Sequence, residues 1–368
     1  MKKNLLSLVL SVAVISIIVS GCSSKVATSQ TNVLPVLNGF STKIFTKVAS
    51  PVSKPDDITT MGGNIFVGNQ NGVGSDGAAS SKGVLKSNVI EYNSSGKQIS
   101  SWSITGKCDG LKADTANNRL IATVNEDGNS SMYIITPSSV ATNHQVKHIT
   151  FKAAVGQKLP AGGTDSISFE NGNIYISASA PKADNKGNFT TAAIFKAVIN
   201  ADNTATLTSV LNDNAKATDA TPTSTAVATT LNMSDPDSNN IVPPESPKYA
   251  GQVVLGDQGD SKLIFSKNIG TSSQVNTVLT VGTQVDDTVW ATSTKGTLYI
   301  TDTGNNTIYS VTGTFKKGTA YVAAPNDAGV GGFVGTVDLT TGLITPFVSG
   351  MNSPHGLLFI PSNTQAAK

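Results

Sequence analysis

Residues 285–313 have the sequence VDDTVWATSTKGTLYITDTGNNTIYSVTG and decide the fold of the chain. The stretch predicts an inner strand at 287–292, a turn at Lys295-Gly296 and an alternating strand at 297–302. A Thr-Gly-Asn-Asn turn then leads into a further strand at 307–311. Weaker versions of this pattern recur along the chain, which indicates many short strands joined by tight turns.

The composition of the 368-residue chain also favours strands over helices. Arg119 is the only arginine and there are four glutamates, so the best helix formers are scarce, whereas Asp, Asn, Gly, Ser and Thr are abundant. The 26 Lys and Arg residues nearly balance the 24 Asp and Glu residues, which gives a net charge of +2. This charge, and the lack of a basic cluster with interleaved aromatic residues, argue against a nucleic-acid partner. We expect a monomer.

The first 21 residues have the features of a targeting segment. Lys2 and Lys3 precede an apolar run that is short for a bilayer-spanning helix, and residues 19–22 have the sequence VSGC. This tetrapeptide resembles the lipobox of bacterial lipoproteins. The resemblance implies cleavage after Gly21, attachment of diacylglyceryl and palmitate-type acyl chains to Cys22, and a protein anchored to a bacterial membrane of the cell envelope, outside the cytoplasm. An ordinary signal peptide or an uncleaved anchor is the alternative.

From Gly39 onward a motif repeats, in which a strand is followed by a short polar tetrapeptide and an inner apolar strand. The six tetrapeptides are Pro55-Asp56-Asp57-Ile58, Cys108-Asp109-Gly110-Leu111, Thr164-Asp165-Ser166-Ile167, Pro222-Thr223-Ser224-Thr225, Val285-Asp286-Asp287-Thr288 and Pro354-His355-Gly356-Leu357. Their second residues are spaced by 109−56 = 53, 165−109 = 56, 223−165 = 58, 286−223 = 63 and 355−286 = 69 positions, each long enough for one four-stranded sheet. The repeat predicts an all-β propeller of six four-stranded antiparallel blades, whose ring is closed by the N- and C-terminal strands.

This interpretation divides the chain into a signal peptide (1–21), a lipidated cysteine with a flexible tether (22–38), the propeller (39–361) and a C-terminal tail (362–368). Residues 213–248, with the polar run DPDSNN at 235–240, predict an exposed insertion. Blade six lacks an evident pair of middle strands, although residues 33–37 could supply one. Residues 315–335 are extra in the fifth repeat, either as a hairpin over one face or as a piece of the missing blade. Five or seven blades therefore remain alternatives.

Residues 298–308, LYITDTGNNTI, resemble the NHL-type propeller repeat, and residues 353–357, SPHGL, resemble the start of such a repeat. The resemblance implies the propeller fold. Proteins similar in fold include gluconolactonase-like enzymes, streptogramin-lyase-like enzymes and non-catalytic scaffolds. Gluconolactonase-like members bind a divalent metal in the central channel through Glu, Asn and Asp. The initial Glu motif of that site has no counterpart in this sequence, which argues against the enzyme.

The tetrapeptides also predict where a functional site would lie. In a propeller the start of each innermost strand faces the central channel at one mouth, so the second residues of the tetrapeptides would form a ring of Asp56, Asp109, Asp165, Thr223, Asp286 and His355. Carboxylates at one opening repel each other unless cations or hydrogen bonds offset their charge, which makes Ca²⁺ a candidate ligand. Alternatively, these Asp side chains accept hydrogen bonds from backbone amides and link one blade to the next.

Two classes of function fit the sequence. The first is a non-catalytic, membrane-anchored binding or scaffold module for a protein, a glycan or a small ligand. The second is a metal-dependent lactonase or lyase with the Asp/His ring as its site. The chain has no G-x-S-x-G elbow and no C-x-x-C pair, and Cys108 has no cysteine partner once Cys22 is lipidated. We therefore favour the binding protein over the enzyme.

Overall fold

The computed structural model describes residues 32–138, 145–222, 228–326 and 329–362. Within these ranges the chain is all-β apart from one 3-10 turn at Thr115–Asn117. The same ranges contain no helix with the length and apolar character needed to cross a bilayer.

The first strand, β1 (Phe40–Lys47), is the outer strand of the last blade. Three blades then follow in chain order, each with its innermost strand first. Blade one consists of β2 (Pro55–Met61), β3 (Asn64–Asn69), β4 (Lys86–Tyr92) and β5 (Gln98–Thr105). Blade two consists of β6 (Cys108–Asp114), β7 (Arg119–Val124), β8 (Ser131–Thr136) and β9 (Gln145–Ala153). Blade three consists of β10 (Ile167–Glu170), β11 (Asn173–Ser177), β12 (Ala192–Ile199) and β13 (Thr204–Asn212).

Blade four is preceded by two short strands, β14 (Lys216–Asp219) and β15 (Thr229–Thr230), which extend the outer edge of its sheet. The blade itself consists of β16 (Pro236–Ile241), β17 (Val253–Asp257), β18 (Lys262–Lys267) and β19 (Val275–Thr280). Its innermost strand is therefore β16.

Blades five and six are not built from consecutive strands. Blade five begins with β20 (Thr288–Trp290), but the next two strands, β21 (Lys295–Asp302) and β22 (Thr307–Thr314), are the middle strands of blade six. The chain then returns to blade five for its remaining strands, β23 (Ala320–Ala324), β24 (Phe333–Val337) and β25 (Ile344–Ser349). Finally β26 (Pro354–Pro361) forms the innermost strand of blade six.

The ring is closed by the two ends of the chain. Strand β1 pairs antiparallel with β22, with Phe40 opposite Gly313, and β26 pairs antiparallel with β21. The six innermost strands contact one another in the cyclic order β2, β6, β10, β16, β20, β26 and back to β2. The predicted all-β propeller of six four-stranded blades, closed by N- and C-terminal strands, is confirmed.

The hydrophobic core lies between the blades. Six clusters of buried side chains are found among the described residues, one at each junction between neighbouring blades. Both faces of a blade are therefore covered, so a middle strand such as β17 is buried along its whole length, whereas an outer strand such as β9 is mostly exposed. Burial of these apolar faces is the main force that holds the ring together.

The hairpin predicted in residues 285–313 is present, but it belongs to a different blade. Its two strands, β21 and β22, were assigned to blade five because the chain was expected to finish one blade before it starts the next. They supply the middle pair that blade six was expected to lack. The extra residues 315–335 contain β23 and most of β24, which are the middle strands of blade five.

Two other sequence predictions need correction. The polar run at 235–240 does not lie in an exposed insertion, because it forms most of the buried strand β16. The flexible tether was predicted to extend to residue 38, but Leu34 is buried in the cluster between blades five and six. Val36 pairs with Val348 of β25, so residues 34–37 lie along the outer strand of blade five and not in the middle of blade six.

Phe315 packs where the chain passes from blade six back to blade five. Its ring is buried and meets the rings of Phe40, Tyr321 and Phe359 edge to face, at centroid distances of 5.0, 6.0 and 5.0 Å. These partners lie on β1, β23 and β26. The ring therefore joins both chain ends to blade five.

We expect Phe315→Leu to lower the free energy of unfolding by about 1–2 kcal/mol, because the edge-to-face contacts are lost and a void remains. Urea unfolding followed by tryptophan fluorescence measures this change. Phe189→Leu, in a half-exposed loop, is the control and should change stability by less than about 0.5 kcal/mol. Equal effects of the two substitutions would contradict the role given to Phe315.

Candidate functional site

A polar cavity of about 180 Å³ lies at the channel mouth, where the innermost strands begin. The structure places all five residues proposed for the site along it: Asp56, Asp109, Asp165, Asp286 and His355. In total eight carboxyl groups line the cavity, those of Asp56, Asp57, Asp109, Glu126, Asp165, Asp237, Asp286 and Asp287. Lys107 and His355 are its two basic residues.

Asp237 occupies the ring position in blade four that was predicted for Thr223. Thr223 lies outside the described residues, and the innermost strand of this blade begins at Pro236. The error arose because roughly even spacing was expected, whereas the real intervals are 237−165 = 72 and 286−237 = 49 positions. The sequence did carry a signal, because Asp237-Ser238 repeats the Asp165-Ser166 pair of blade three.

His355 joins blades one, five and six. Its Nδ1 lies 2.8 Å from Asp286 Oδ2 and 3.2 Å from Asp56 Oδ1. Burial alone would lower the pKa of His355, but the charge of Asp286 and then that of Asp56 raise this pKa well above its usual value. His355 is therefore an imidazolium at neutral pH and offsets two carboxylates of the ring.

The recognisable turn in the 285–313 stretch helps to position His355. Asp302 is fully buried at the end of β21, and its carboxylate accepts hydrogen bonds from the backbone N–H groups of Asn352 (3.1 Å) and Ser353 (3.0 Å). Ser353 Oγ in turn lies 2.9 Å from Nε2 of His355. The turn thus holds the loop from which His355 enters the ring.

Lys107 offsets the charge on another side of the ring. Its Nζ forms ion pairs with Asp109 Oδ1, at 2.9 Å, and with Glu126 Oε1. Although burial lowers the pKa of Lys107, Asp109 and Glu126 outweigh this effect and raise it well above the usual value. Gln70 Nε2 also donates to Asp109 Oδ1, at 3.2 Å. The other carboxylate oxygen of Asp109, Oδ2, is buried and has no hydrogen-bond partner in the described part of the chain.

Asp165 and Asp237 form a pair of carboxyl groups that share a proton. Burial, followed by the neighbouring Asp237, raises the pKa of Asp165 well above its usual value, and Asp165 donates a hydrogen bond to Asp237. Burial and the charge of Asp286 likewise raise the pKa of Asp237. Within the described ranges neither carboxyl group makes an ion pair with a basic side chain. A pair of this kind can both give and accept a proton.

Two of the hydrogen bonds that link blades are accepted from backbone N–H groups by the residues directly after the ring positions in blades one and five. Asp57 accepts from Leu111 N, at 2.7 Å, and so joins blades one and two. Asp287 accepts from Leu357 N, at 2.8 Å, and joins blades five and six. Burial raises the pKa of both carboxyl groups, and the charge of nearby Lys112 opposes the rise. At these two junctions the role of backbone-amide acceptor, which was considered for the ring residues, is thus filled by their neighbours.

Blades two and six carry glycine directly after the ring position. A side chain at Gly110 would collide with the backbone oxygen of Asp165, and one at Gly356 would collide with that of Asp56. Inner strands therefore approach closely at these two junctions, where only glycine fits.

Sequence analysis missed five residues of the cavity that carry charge: Lys107, Glu126, Asp57, Asp287 and Asp237. Lys107 directly precedes a ring tetrapeptide, and the doubled Asp in blades one and five was visible in the alignment of tetrapeptides. Glu126 lies outside every tetrapeptide, and the antiparallel pairing of β6 with β7, in which Cys108 lies opposite Val124, brings it to Lys107.

Metal-binding chemistry was also expected at this mouth. Among residues 32–362 with their gaps, no three His, Cys, Asp or Glu side chains lie close enough together to hold one metal ion. The expected Ca²⁺ therefore has no ready-made set of ligands in this arrangement. Cys108 is buried, and burial raises the pKa of its thiol well above the usual value, which disfavours the thiolate that a nucleophile needs.

Asp257 lies at the end of β17, directly before Gln258 of the cavity, and is fully buried. Its Oδ1 accepts a hydrogen bond from Asp235 N, at 3.2 Å. Burial, with a smaller contribution from Asp260, raises the pKa of Asp257 to about 8. Asp257 is therefore protonated near neutral pH and donates a hydrogen bond to Asp260.

This proton makes stability depend on pH. The unfolded chain loses the proton of Asp257 near pH 4 and the folded chain near pH 8, so the free energy of unfolding falls as pH rises through that range. Asp257→Asn keeps a donor for Asp260 and removes the titration. We expect the free energy of unfolding of Asp257→Asn, relative to that of the original chain, to increase by about 2 kcal/mol between about pH 5 and pH 8.5.

Thermal unfolding at several pH values measures the effect of Asp257→Asn. Asp202→Asn, which replaces an exposed carboxylate, is the matched control. Its stability should differ from that of the original chain by the same amount at every pH. A constant difference for Asp257→Asn as well would contradict the assignment of a proton to this residue.

The fold and the cavity define the class: a six-bladed β-propeller with an acidic channel mouth. No family model and no curated protein matches the chain. Its structure is similar to that of the periplasmic gluconolactonase PpgL from Pseudomonas aeruginosa, at 13% identity over 83% of this chain and 88% of that one, with a TM-score of 0.45. It is also similar to a structural genomics protein of unknown function from Bacteroides thetaiotaomicron (9% identity, 86% and 70% covered, TM-score 0.46). A third similar structure is the WD40 β-propeller domain of Doa1 (10% identity, 85% and 74% covered, TM-score 0.40).

Proposed function

We propose that this protein is a ligand-binding propeller whose channel mouth takes a small, positively charged molecule or ion. The observation that carries the proposal is the charge of the cavity, in which eight carboxyl groups face only two basic side chains. A low-dielectric cavity with such an excess of acidic groups attracts cations and repels anions. The unpartnered Oδ2 of Asp109 supplies a buried acceptor that a ligand can satisfy.

The size of the cavity restricts the ligand. A volume of about 180 Å³ admits an ion or one small organic group but not a folded partner or a nucleobase pair. A larger ligand would therefore insert one cationic group into the mouth and leave the rest on the surrounding loops.

Differential scanning fluorimetry with a panel of chlorides tests this function. We expect Ca²⁺, Mg²⁺ or ethylammonium to raise the unfolding temperature, and sodium acetate at equal ionic strength to have no effect. Asp109→Asn should weaken cation binding by about tenfold, which corresponds to about 1.4 kcal/mol, because it removes a buried charge. Asp202→Asn on the outer rim is the matched control. If no cation stabilises the protein, or if acetate does so equally, the proposal is wrong.

A second candidate function is enzymatic, and the proton shared by Asp165 and Asp237 favours it. General acid–base catalysis needs one group that gives a proton and one that accepts it, and this pair meets that requirement. The reaction class would be hydrolysis of a lactone or a lyase reaction. Turnover of a lactone panel, with and without added Ca²⁺, Mg²⁺ and Zn²⁺, tests it. Activity that disappears in Asp237→Asn would favour the enzyme over the binding protein.

Anchoring to a membrane through Cys22 is a separate part of the proposal, and its support is the sequence at residues 19–22. Leu34 is packed against the propeller, and 34−22 = 12 residues separate it from Cys22. A fully extended chain of that length spans at most about 40 Å. A lipidated Cys22 would therefore keep the propeller within about 40 Å of the membrane surface.

We expect Cys22→Ala to move the protein from the membrane fraction to the soluble fraction of cells, because it has no thiol for lipid attachment. Ser23→Ala is the matched control and should remain with the membranes. Immunoblots of the two fractions measure the distribution. An unchanged membrane content of Cys22→Ala would show that the lipoprotein interpretation is wrong.

A further inference from the structure

The basic side chains of the channel mouth offset only part of its acidic ring. His355 lies against Asp56 and Asp286, and Lys107 lies against Asp109 Oδ1 and Glu126. Asp165 and Asp237, on blades three and four, have no ion pair with a basic side chain in the part of the chain that the structure describes. One side of the mouth therefore lacks a protein cation.

A second, independent feature borders this side. Asp109 is 3% exposed, and its Oδ2 has no hydrogen-bond partner within the described ranges. Burial and the charge of Glu126 raise the pKa of Asp109, and the charge of Asp165 adds to this rise. The unpartnered Oδ2 of Asp109 and the carboxyl groups of Asp165 and Asp237 thus present acceptor oxygens from three consecutive blades, and we call this group the uncompensated sector, although Oδ1 of Asp109 is paired with Lys107.

We propose that the uncompensated sector binds a primary ammonium group of the ligand. This inference rests on the proposed function and names the chemical class of the ligand. A primary ammonium carries one positive charge and three N–H donors for the acceptor oxygens of the sector. Its charge would take the place of the proton that Asp165 and Asp237 share, so that proton is released to solvent as the ammonium group enters.

A metal ion suits the cavity less well than an ammonium group. A bound Ca²⁺ needs several oxygens at about 2.3–2.6 Å from a single point, and no three acidic or imidazole groups in the described chain are close enough to share a metal. An ammonium group is held by charge-assisted N–H···O hydrogen bonds of about 2.7–2.9 Å and needs fewer than three carboxyl groups around it.

The other charged residues of the cavity favour the same position for the ammonium group. Lys107 and Gln70 supply donors beside Asp109, and Lys107 would repel an ammonium group placed directly between it and Glu126. His355 would likewise repel a cation at Asp56 or Asp286. The ammonium group is therefore directed to Asp165 and Asp237 of blades three and four, and it reaches Asp109 of blade two only through Oδ2, because Lys107 occupies Oδ1. Any acceptor groups of the ligand are directed to Lys107.

Isothermal titration calorimetry with ethylammonium, tetramethylammonium and Ca²⁺ chlorides, at equal ionic strength, tests the inference on the unmodified protein. Tetramethylammonium has the same charge but no N–H donor. We expect ethylammonium to bind at least tenfold more tightly than tetramethylammonium. Equal affinities for the two organic cations would overturn the inference, while an absence of heat with all three cations would instead overturn the proposed function.

Substitutions then locate the group. Asp165→Asn and Asp237→Asn should each weaken ethylammonium binding at least tenfold, whereas Asp286→Asn, which alters a carboxylate already offset by His355, should weaken it less. Asp202→Asn on the outer rim should leave binding unchanged. Thermal unfolding of each variant shows whether it is folded. A larger loss in Asp286→Asn than in Asp165→Asn would place the cation elsewhere and overturn the assignment of the sector.

Discussion

His355→Ala is expected to lower the free energy of unfolding by about 3–5 kcal/mol at about pH 6, because it leaves the buried carboxylate of Asp56 and the partly buried carboxylate of Asp286 without their cation. The loss should depend on pH. The pKa of His355 is raised in the folded protein above its unfolded value near 6.5, so its ion pairs contribute fully below about pH 6.5. That contribution disappears as pH rises through the folded pKa.

Urea unfolding of both proteins from about pH 5.5 to pH 9.5 measures this difference. The free energy of unfolding that His355→Ala loses relative to the original chain should be largest near pH 6 and should become smaller in the alkaline range. His148→Ala is the matched control, because His148 stacks on Tyr133 on an exposed outer strand and has no carboxylate beside it in the described structure. A pH-independent loss in His355→Ala would show that its effect is one of packing and not of charge.

Asp57→Ala and Asp287→Ala are each expected to lower the free energy of unfolding by about 2–5 kcal/mol, because each removes the acceptor of two backbone N–H groups. Asp57 accepts from Ile58 N and Leu111 N, both at 2.7 Å. Asp287 accepts from Thr288 N at 2.6 Å and from Leu357 N at 2.8 Å. The Asn variants retain one acceptor oxygen and should lose about half as much.

The equivalent residue of blade three provides the control for these variants. Ser166 follows ring residue Asp165, and its Oγ donates to Asn239 O at 3.3 Å, so it also links two blades but through one longer hydrogen bond. Ser166→Ala should cost no more than about 1 kcal/mol. Thermal and urea unfolding compare the variants. If Asp57→Ala were no more damaging than Ser166→Ala, the linking role of the doubled aspartates would be refuted.

The fold could be predicted because its signals are local. Strand, turn and inner strand recur within about sixty residues, and each buried middle strand is a continuous apolar run bounded by Gly, Asn or Asp. The blade to which a hairpin belongs is not a local property. Residues 297–311 formed the clearest hairpin in the sequence, yet their partners β1 and β26 lie near opposite ends of the chain, so their assignment to blade five was wrong.

The candidate site was predictable to the extent that its residues share a position in the repeat. Asp56, Asp109, Asp165 and Asp286 each follow the first residue of a tetrapeptide, and this position faces the cavity in every blade where it was identified. Asp237 has the same position but lay within a run of polar residues that is typical of a loop. Glu126 and Lys107 are brought together by the pairing of β6 with β7 within blade two. The pairing of Asp165 with Asp237 depends on contacts between blades that periodicity does not encode.

The exchange of strands between blades five and six has a consequence for the order of folding. Blades one to four are each made from one continuous segment, and each can form as soon as that segment is available. Blade six needs β1 and β22, whose paired residues Phe40 and Gly313 are 313−40 = 273 positions apart, and blade five is completed only after the chain has passed through blade six. Closing so long a loop is slow and entropically costly. We expect the last two blades to assemble together as the final, rate-limiting event, after synthesis of almost the entire chain. A truncation before β25 would therefore remove the outer strand of blade five and the innermost strand of blade six at once.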